Sequence, residues 1–350
     1  MVVGNRSLLF RCLAVALSLF LVLCVAEIAL RVLRAGESRE QLEEDPARSG
    51  QRALYRRSED PELIYELIPN AVAKRHGVDV VVNSSGFRDH EFPDSVGGPR
   101  VVVLGDSVAW GWGVSMSRAF PQLIEDTLVR SSSNSGEQPV VYNLGVEGYS
   151  TRQEIRVLET LGLGFEPDVI VVAYVLNDPD ERVGVNHLPA DGGIAARFAS
   201  GPTSEVVEWV RGAWVRLRAT GDSSRLPDDY HRQVHARGRE RIEAHFRRLG
   251  ELSRVHDVPV LVAVVPVFDF SAKGAYPWGS IHREVMRTAA EQGLEPVDLY
   301  EAFRGVPSVP FAHNVWHPNG RGHAVIADAL VAKIREVLSL RAQVENSDLR

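Results

Sequence analysis

The sequence predicts an α/β fold of three layers, with a mostly parallel sheet between two layers of helices. Three observations carry the prediction. Short apolar runs occur without alternation, as strands buried on both faces require. Stretches with apolar residues at three- and four-residue spacing stand between them, the mark of amphipathic helices. Gly, Asn, Asp and Ser gather where the runs stop, which is turn chemistry.

The elements follow in order. Residues 1–6 are a short flank. Residues 7–33 are apolar apart from Ser7, Arg11, Ser18, Glu27 and Arg31. That length exceeds the ~20 residues a helix needs to cross a bilayer, so one transmembrane anchor is expected. No A-x-A cleavage signal follows the apolar core, and Leu23 is large where a lipoprotein site before Cys24 needs a small residue. Residues 34–60 mix charges of both signs and form a polar linker. Residues 61–99 alternate short apolar pieces with turns, including a strand at 78–82, and extend the main domain at its N-terminal side.

The main domain spans 100–340. Strands are expected at 100–104, 140–144, 168–175, 258–265 and 296–299. Helices are expected at 119–129, 151–163, 237–256, 281–292 and 322–340, and a tail at 341–350 closes the chain. Residues 179–235 form an insertion rich in Pro and Gly, with Trp209 and Trp214, placed to roof a site beyond the strand ends. In parallel sheets ligands sit past the carboxyl ends of the strands. Ser107, Gly148 and Asn177 all fall there.

Composition narrows the function classes. The chain has 350 residues, 45% hydrophobic and 24% charged, with a net charge of −7. Residues 1–39 hold five Arg against two Glu, which leaves the body at −10. An acidic body argues against a nucleic-acid partner. Both cysteines, Cys12 and Cys24, lie in the apolar segment, so the body contains no disulfide. His231 and His235 have a metal-like spacing, but Arg232 stands where H-E-x-x-H needs Glu. No metal and no cofactor are expected.

The chemistry starts at Gly105, Asp106 and Ser107. A strand that ends in this way and turns into a helix presents a hydroxyl at the rim, where a nucleophile with a base in reach would stand. Ala109 excludes the G-x-S-x-G elbow. Further along come Asn143, Leu144, Gly145, Val146, Glu147 and Gly148, then Leu176, Asn177 and Asp178, then His317, Pro318 and Asn319 with Gly322 and His323. Taken together, these four blocks resemble the SGNH, or GDSL, hydrolase superfamily, whose blocks contribute Ser, Gly, Asn and His in that order. More narrowly, the chain resembles membrane-anchored bacterial members, which carry a segment like Asn83, Ser84, Ser85, Gly86, Phe87, Arg88 and Asp89 before the first block. The resemblance covers roughly residues 80–335.

The resemblance implies an SGNH (flavodoxin-like) fold and a serine esterase. Ser107 is then the nucleophile and His317 the general base. The oxyanion hole is built from the backbone N–H groups of Ser107 and Gly148 and the amide of Asn177. His323 is a second candidate base. Asp106, Trp110, Trp112 and His313 are candidate substrate-lining residues. Two departures stand out. Val175 replaces the usual Gly of the third block. Asn314 takes the place of the Asp that orients the histidine, and an Asn supplies no charge and can favour the wrong tautomer. Asp298 is a candidate replacement acid. The expected substrate is an acyl ester on a carbohydrate or lipid, with O-acetyl groups of an envelope polysaccharide favoured, by hydrolysis or transfer. The alternatives are a catalytically weak module that binds a glycan or partner, and a lipid-active esterase. The arginines flanking the anchor nearly balance, and the resemblance tips the body to the extracytoplasmic side of the membrane.

Overall fold

The computed structural model describes residues 54–132, 136–180 and 230–348. Two antiparallel pairs open this part of the chain: β1 (Tyr55–Arg57) with β2 (Tyr65–Leu67), and β3 (Val72–Arg75) with β4 (Val78–Val81). His76 and Gly77 join β3 to β4 with φ of 50° and 79°. A two-residue hairpin turn of the favoured kind asks for positive φ at both positions. The linker expected over 34–60 gives way to structure by Leu54, because Leu54 and Tyr55 are buried.

The sheet proper is built from β5 (Arg100–Gly105), β6 (Val140–Asn143), β7 (Val169–Tyr174), β8 (Val260–Val264) and β9 (Glu295–Asp298). Their order is β6-β5-β7-β8-β9, and every pairing is parallel. The helices are α1 (Ser107–Trp110), α2 (Phe120–Ser132), α3 (Thr151–Thr160), α4 (Tyr230–His256), α5 (Gly279–Glu291) and α6 (Gly320–Asp348).

Alternate residues of each strand serve opposite faces. Val102, Leu104, Ile170, Val172, Val260 and Val262 join a core with α3, α4, α5 and the N-terminal hairpins. Val101, Val103, Val169, Val171, Leu261 and Ala263 join the other core, with α2 and α6. The three-layer α/β/α prediction therefore stands. Each fully buried aliphatic here stabilises the fold by about 1.5–3 kcal/mol. All of these elements lie in one compact unit.

Two helices outrun their expected ends. α4 begins at Tyr230 rather than 237, so the last residues assigned to the insertion are helical. α6 continues to Asp348, past the expected end at 340. The anchor at 7–33 and most of the linker and insertion lie outside the described residues. Among the described residues, no helix is long and apolar enough to cross a membrane.

Candidate active site

β5 is almost wholly buried and ends on Gly105. Asp106 then caps α1: its Oδ1 accepts the N–H of Val108 at 3.0 Å. A capped helix start fixes the first helical residue, and that residue is Ser107. Its Oγ lies 2.9 Å from Nε2 of His317. The helix lasts one turn before Gly111, whose N–H reaches back to the Ser107 and Val108 carbonyls. Trp112 also donates its N–H to the Ser107 carbonyl, at 3.0 Å.

His317 stands in a loop closed by an isolated bridge between Ala312 and Pro318. Inside that loop the Oδ1 of Asn314 collects the backbone N–H of Trp316 (2.9 Å) and of His317 (3.0 Å). The same oxygen lies 3.1 Å from Nδ1 of His317. The two backbone donors decide which end of the amide faces the ring, since only an oxygen can accept from them. An oxygen at Nδ1 keeps the proton there and leaves the Nε2 lone pair facing Ser107. Asn314 thus favours the productive tautomer, the reverse of the sequence-based concern. It brings no charge, however. Burial pushes His317 down to about 3, with Glu147 pulling upward and His76 and His313 pushing further down.

The loop after β6 lies against α1. The N–H of Val146 donates to the Gly105 carbonyl, and Nδ2 of Asn143 donates to the Ala109 carbonyl. Gly145 touches this turn so closely that a Cβ would stand 2.7 Å from that of Ala109. Gly148 takes φ of 82°, which only glycine adopts readily. Past β7, the side chain of Asn177 hydrogen-bonds the Asp106 carboxylate, which Ser107 Oγ also approaches at 3.4 Å. Burial pushes Asp106 up to about 6 despite the bonds from Val108, Asn177 and Ser107. The Ser107 turn, the glycine loop and Asn177 are thereby tied into one cluster at the strand ends.

Comparison with known proteins gives the family. A match to the GDSL-like lipase/acylhydrolase family spans residues 103–325. The chain belongs to that family. Among solved structures, this GDSL-like chain is similar to an α/β hydrolase from the metagenome of Lake Arreo. The identity there is 18%, over 68% of this chain and 95% of the other, with a TM-score of 0.43. It is similar to an acetylxylan esterase from Geobacillus stearothermophilus, at 15% identity over 69% and 96% of the two chains, TM-score 0.41. It is also similar to a lipase/acylhydrolase from Enterococcus faecalis, at 18% identity over 68% and 96%, TM-score 0.40. No curated protein matches it.

Several expected roles need correction in this GDSL-like hydrolase. Asp106 is 1% exposed and is spent on capping α1 and holding Asn177. Trp110 is 0% exposed, with the Arg88 guanidinium 4.5 Å from its ring, and belongs to the core. Trp112 stacks on His317 (centroids 4.3 Å apart, planes 11° apart), and His76 packs against its other side with a 32° tilt (4.4 Å). Both faces are taken, so it offers a ligand only an edge. His313 is exposed near Trp112, at 5.9 Å, and its backbone N–H bonds the His317 carbonyl. His323 is buried, and its Nδ1 accepts the N–H of Phe120. Asp298 is no replacement acid for His317: it pairs with His282 at 2.8 Å. His231 and His235 both turn to the Leu176 carbonyl.

Other residues that shape the site carry no chemical signature in the sequence. Arg88, 1% exposed, donates to the carbonyls of Trp110, Gly111 and Val114 and clamps the loop after Ser107. Asp89 accepts from Gln122 Nε2 and from the N–H of Asn143. Glu147 is buried and takes bonds from Tyr55 (3.0 Å), Arg75 (2.7 Å) and His76 (2.9 Å). The one available signal was the run Asn83 to Asp89 as a whole. Asn83 Oδ1 closes a turn onto the N–H groups of Ser85 and Phe87, and that turn aims Arg88 and Asp89 inward.

Proposed function

We propose that this chain is a serine-dependent ester hydrolase, with Ser107 as nucleophile and His317 as general base. The observation that carries the proposal is the Ser107–His317 bond with an oxygen of Asn314 set at Nδ1. Ser107 Oγ attacks the ester carbonyl as its proton passes to Nε2 of His317. The N–H groups of Ser107 and Gly148 and one N–H of the Asn177 amide stabilise the oxyanion. The second N–H of that amide stays with Asp106, so the asparagine keeps its place throughout. His317 returns its proton to the leaving alcohol. Water then repeats the sequence on the acyl-enzyme, or a second alcohol does so in a transfer.

The substrate is proposed to be an O-acyl ester, with acetyl favoured, on an envelope polysaccharide. His76 and His313 lie beside Trp112, a polar setting that suits a hydrated sugar ester better than a long acyl chain. Residues 7–33 are proposed to anchor the body on the extracytoplasmic face, as a single span. Protease added to intact spheroplasts digests the body in that topology; protection until lysis reverses it.

The function itself is tested with an aryl acetate and a fluorophosphonate probe. The full chain turns over the ester and takes the label, and Ser107→Ala does neither while melting at the wild-type temperature. Labelling that survives in Ser107→Ala removes the nucleophile assignment. No turnover or labelling by the wild type favours a binding module on the same fold.

A further inference from the structure

His317 is asked to carry a positive charge in a place that resists one. The acceptor at its Nδ1 is an amide oxygen, which holds a proton but does not neutralise a cation. The ring is half-buried, and desolvation already disfavours its charged form. A working base at this position needs some other source of negative potential.

The indole of Trp112 lies flat on His317, 4.3 Å between centroids and 11° between planes. An aromatic face is the negative part of the ring quadrupole, and tryptophan has the strongest one. The contact is also held from every side. The Trp112 N–H is bonded to the Ser107 carbonyl, and Arg88 clamps the carbonyls on either side of this loop. On the far face lies His76, at the tip of the β3–β4 hairpin, with its Nε2 2.9 Å from Glu147 Oε1. Arg75 from the same hairpin also pairs with Glu147, at 2.7 Å. The three rings form a stack from the N-terminal hairpin to the general base.

We propose that Trp112 is a positioning residue that carries the His317 imidazolium by a cation–π contact, in place of the carboxylate that position 314 lacks. The proposal rests on His317 being the general base. The groups that face His317 are Ser107, Asn314 and Trp112 in contact, with Glu147 favouring its charge and His76 and His313 opposing it.

The test is a cycle of variants of the full chain, read as kcat and KM for an aryl acetate across pH 4–9. Trp112→Leu is expected to lower kcat about tenfold with KM little changed, and Trp112→Phe, which keeps a ring face, to recover most of it. Asn314→Asp is expected to speed Trp112→Leu by a larger factor than it speeds the wild type, because each change answers the same need. Equal factors in both backgrounds, or equal losses in the Leu and Phe variants, overturn the proposal. Should Trp112→Leu not fold, wild type grown with mono-, di- and trifluorotryptophan serves instead. Fluorination drains the ring face without changing its shape, so log kcat should fall with each added fluorine; a flat series overturns the cation–π contact. His317→Ala that keeps full activity instead removes the general-base reading beneath it.

Discussion

Two histidines in this molecule each stand between a side-chain oxygen and a hydroxyl, and the less triad-like of the two is the one at the rim. His282 has a true carboxylate at Nδ1, Asp298 at 2.8 Å, and the Tyr276 hydroxyl at Nε2, 3.1 Å away. His317 has only an amide oxygen on one side and Ser107 on the other. The difference lies in what else the hydroxyl does. Tyr276 accepts the N–H of Val267, stacks on Tyr300, and is pushed well above its ordinary pKa by burial. His282 itself is 0% exposed. That trio ties α5, β9 and the loop after β8 together, and the same loop holds the His317 loop through the bond from Phe268 N–H to the Val315 carbonyl. Ser107 stands at a strand end beside the glycine loop and Asn177. Residue types alone do not make a catalytic centre. Access, and donors placed where charge develops, decide it.

The comparison breaks most visibly at the two histidine sites. His317→Ala is expected to lower kcat/KM for an aryl acetate by ~10³-fold or more with little change in melting temperature. A loss under tenfold would mean that His317 is not the base. Asp298→Asn is expected to do the opposite. Weakening a buried, charge-assisted bond costs about 1–3 kcal/mol in urea denaturation, while kcat/KM of the folded protein stays within about threefold. A thousandfold loss of activity in that variant would place the His282 trio in the chemistry.

The smallest effect sharpens the comparison by making the two sites alike. Catalysis needs His317 neutral, and burial holds it near pH 3 rather than 6.5. The wild-type kcat/KM should therefore show no loss from His317 as pH falls from 8 through 6.5. Asn314→Asp puts a charge beside Nδ1, favours the protonated ring, and moves that loss upward toward 6.5. At pH 8 the gain should be less than tenfold, since Trp112 already stabilises the cation. An acid limb that stays put in the mutant would show that position 314 does not act on His317.

Much of this was readable in the chain because parallel strands buried on both faces leave continuous apolar runs. β5, β7 and β8 are of that kind, and their ends placed Ser107 and Asn177. The start of α4 was hidden because His231 and His235, polar by type, are buried against the Leu176 carbonyl and break the apolar period. β1, β2 and β3 are three or four residues long, too short for a pattern. The roles of Arg88 and Glu147 left no trace for a different reason. A buried charge in a loop owes its place to partners far along the chain, and those partners exist only after folding. Asn314 lay between the two cases. Its identity was plain, yet the side its oxygen faces depends on two backbone N–H groups in its own loop.

Ser107 and His317 are separated by 210 positions along the chain, and that distance is also a delay. A ribosome adds ~5–20 residues per second, so the base is made roughly 10–40 s after the nucleophile. During that interval the growing polypeptide carries a serine with nothing to take its proton. β9 and the His317 loop must still be added before an ester can be cut. A chain halted anywhere before that loop is chemically silent, so the hydrolase is switched on only once the His317 loop has been made.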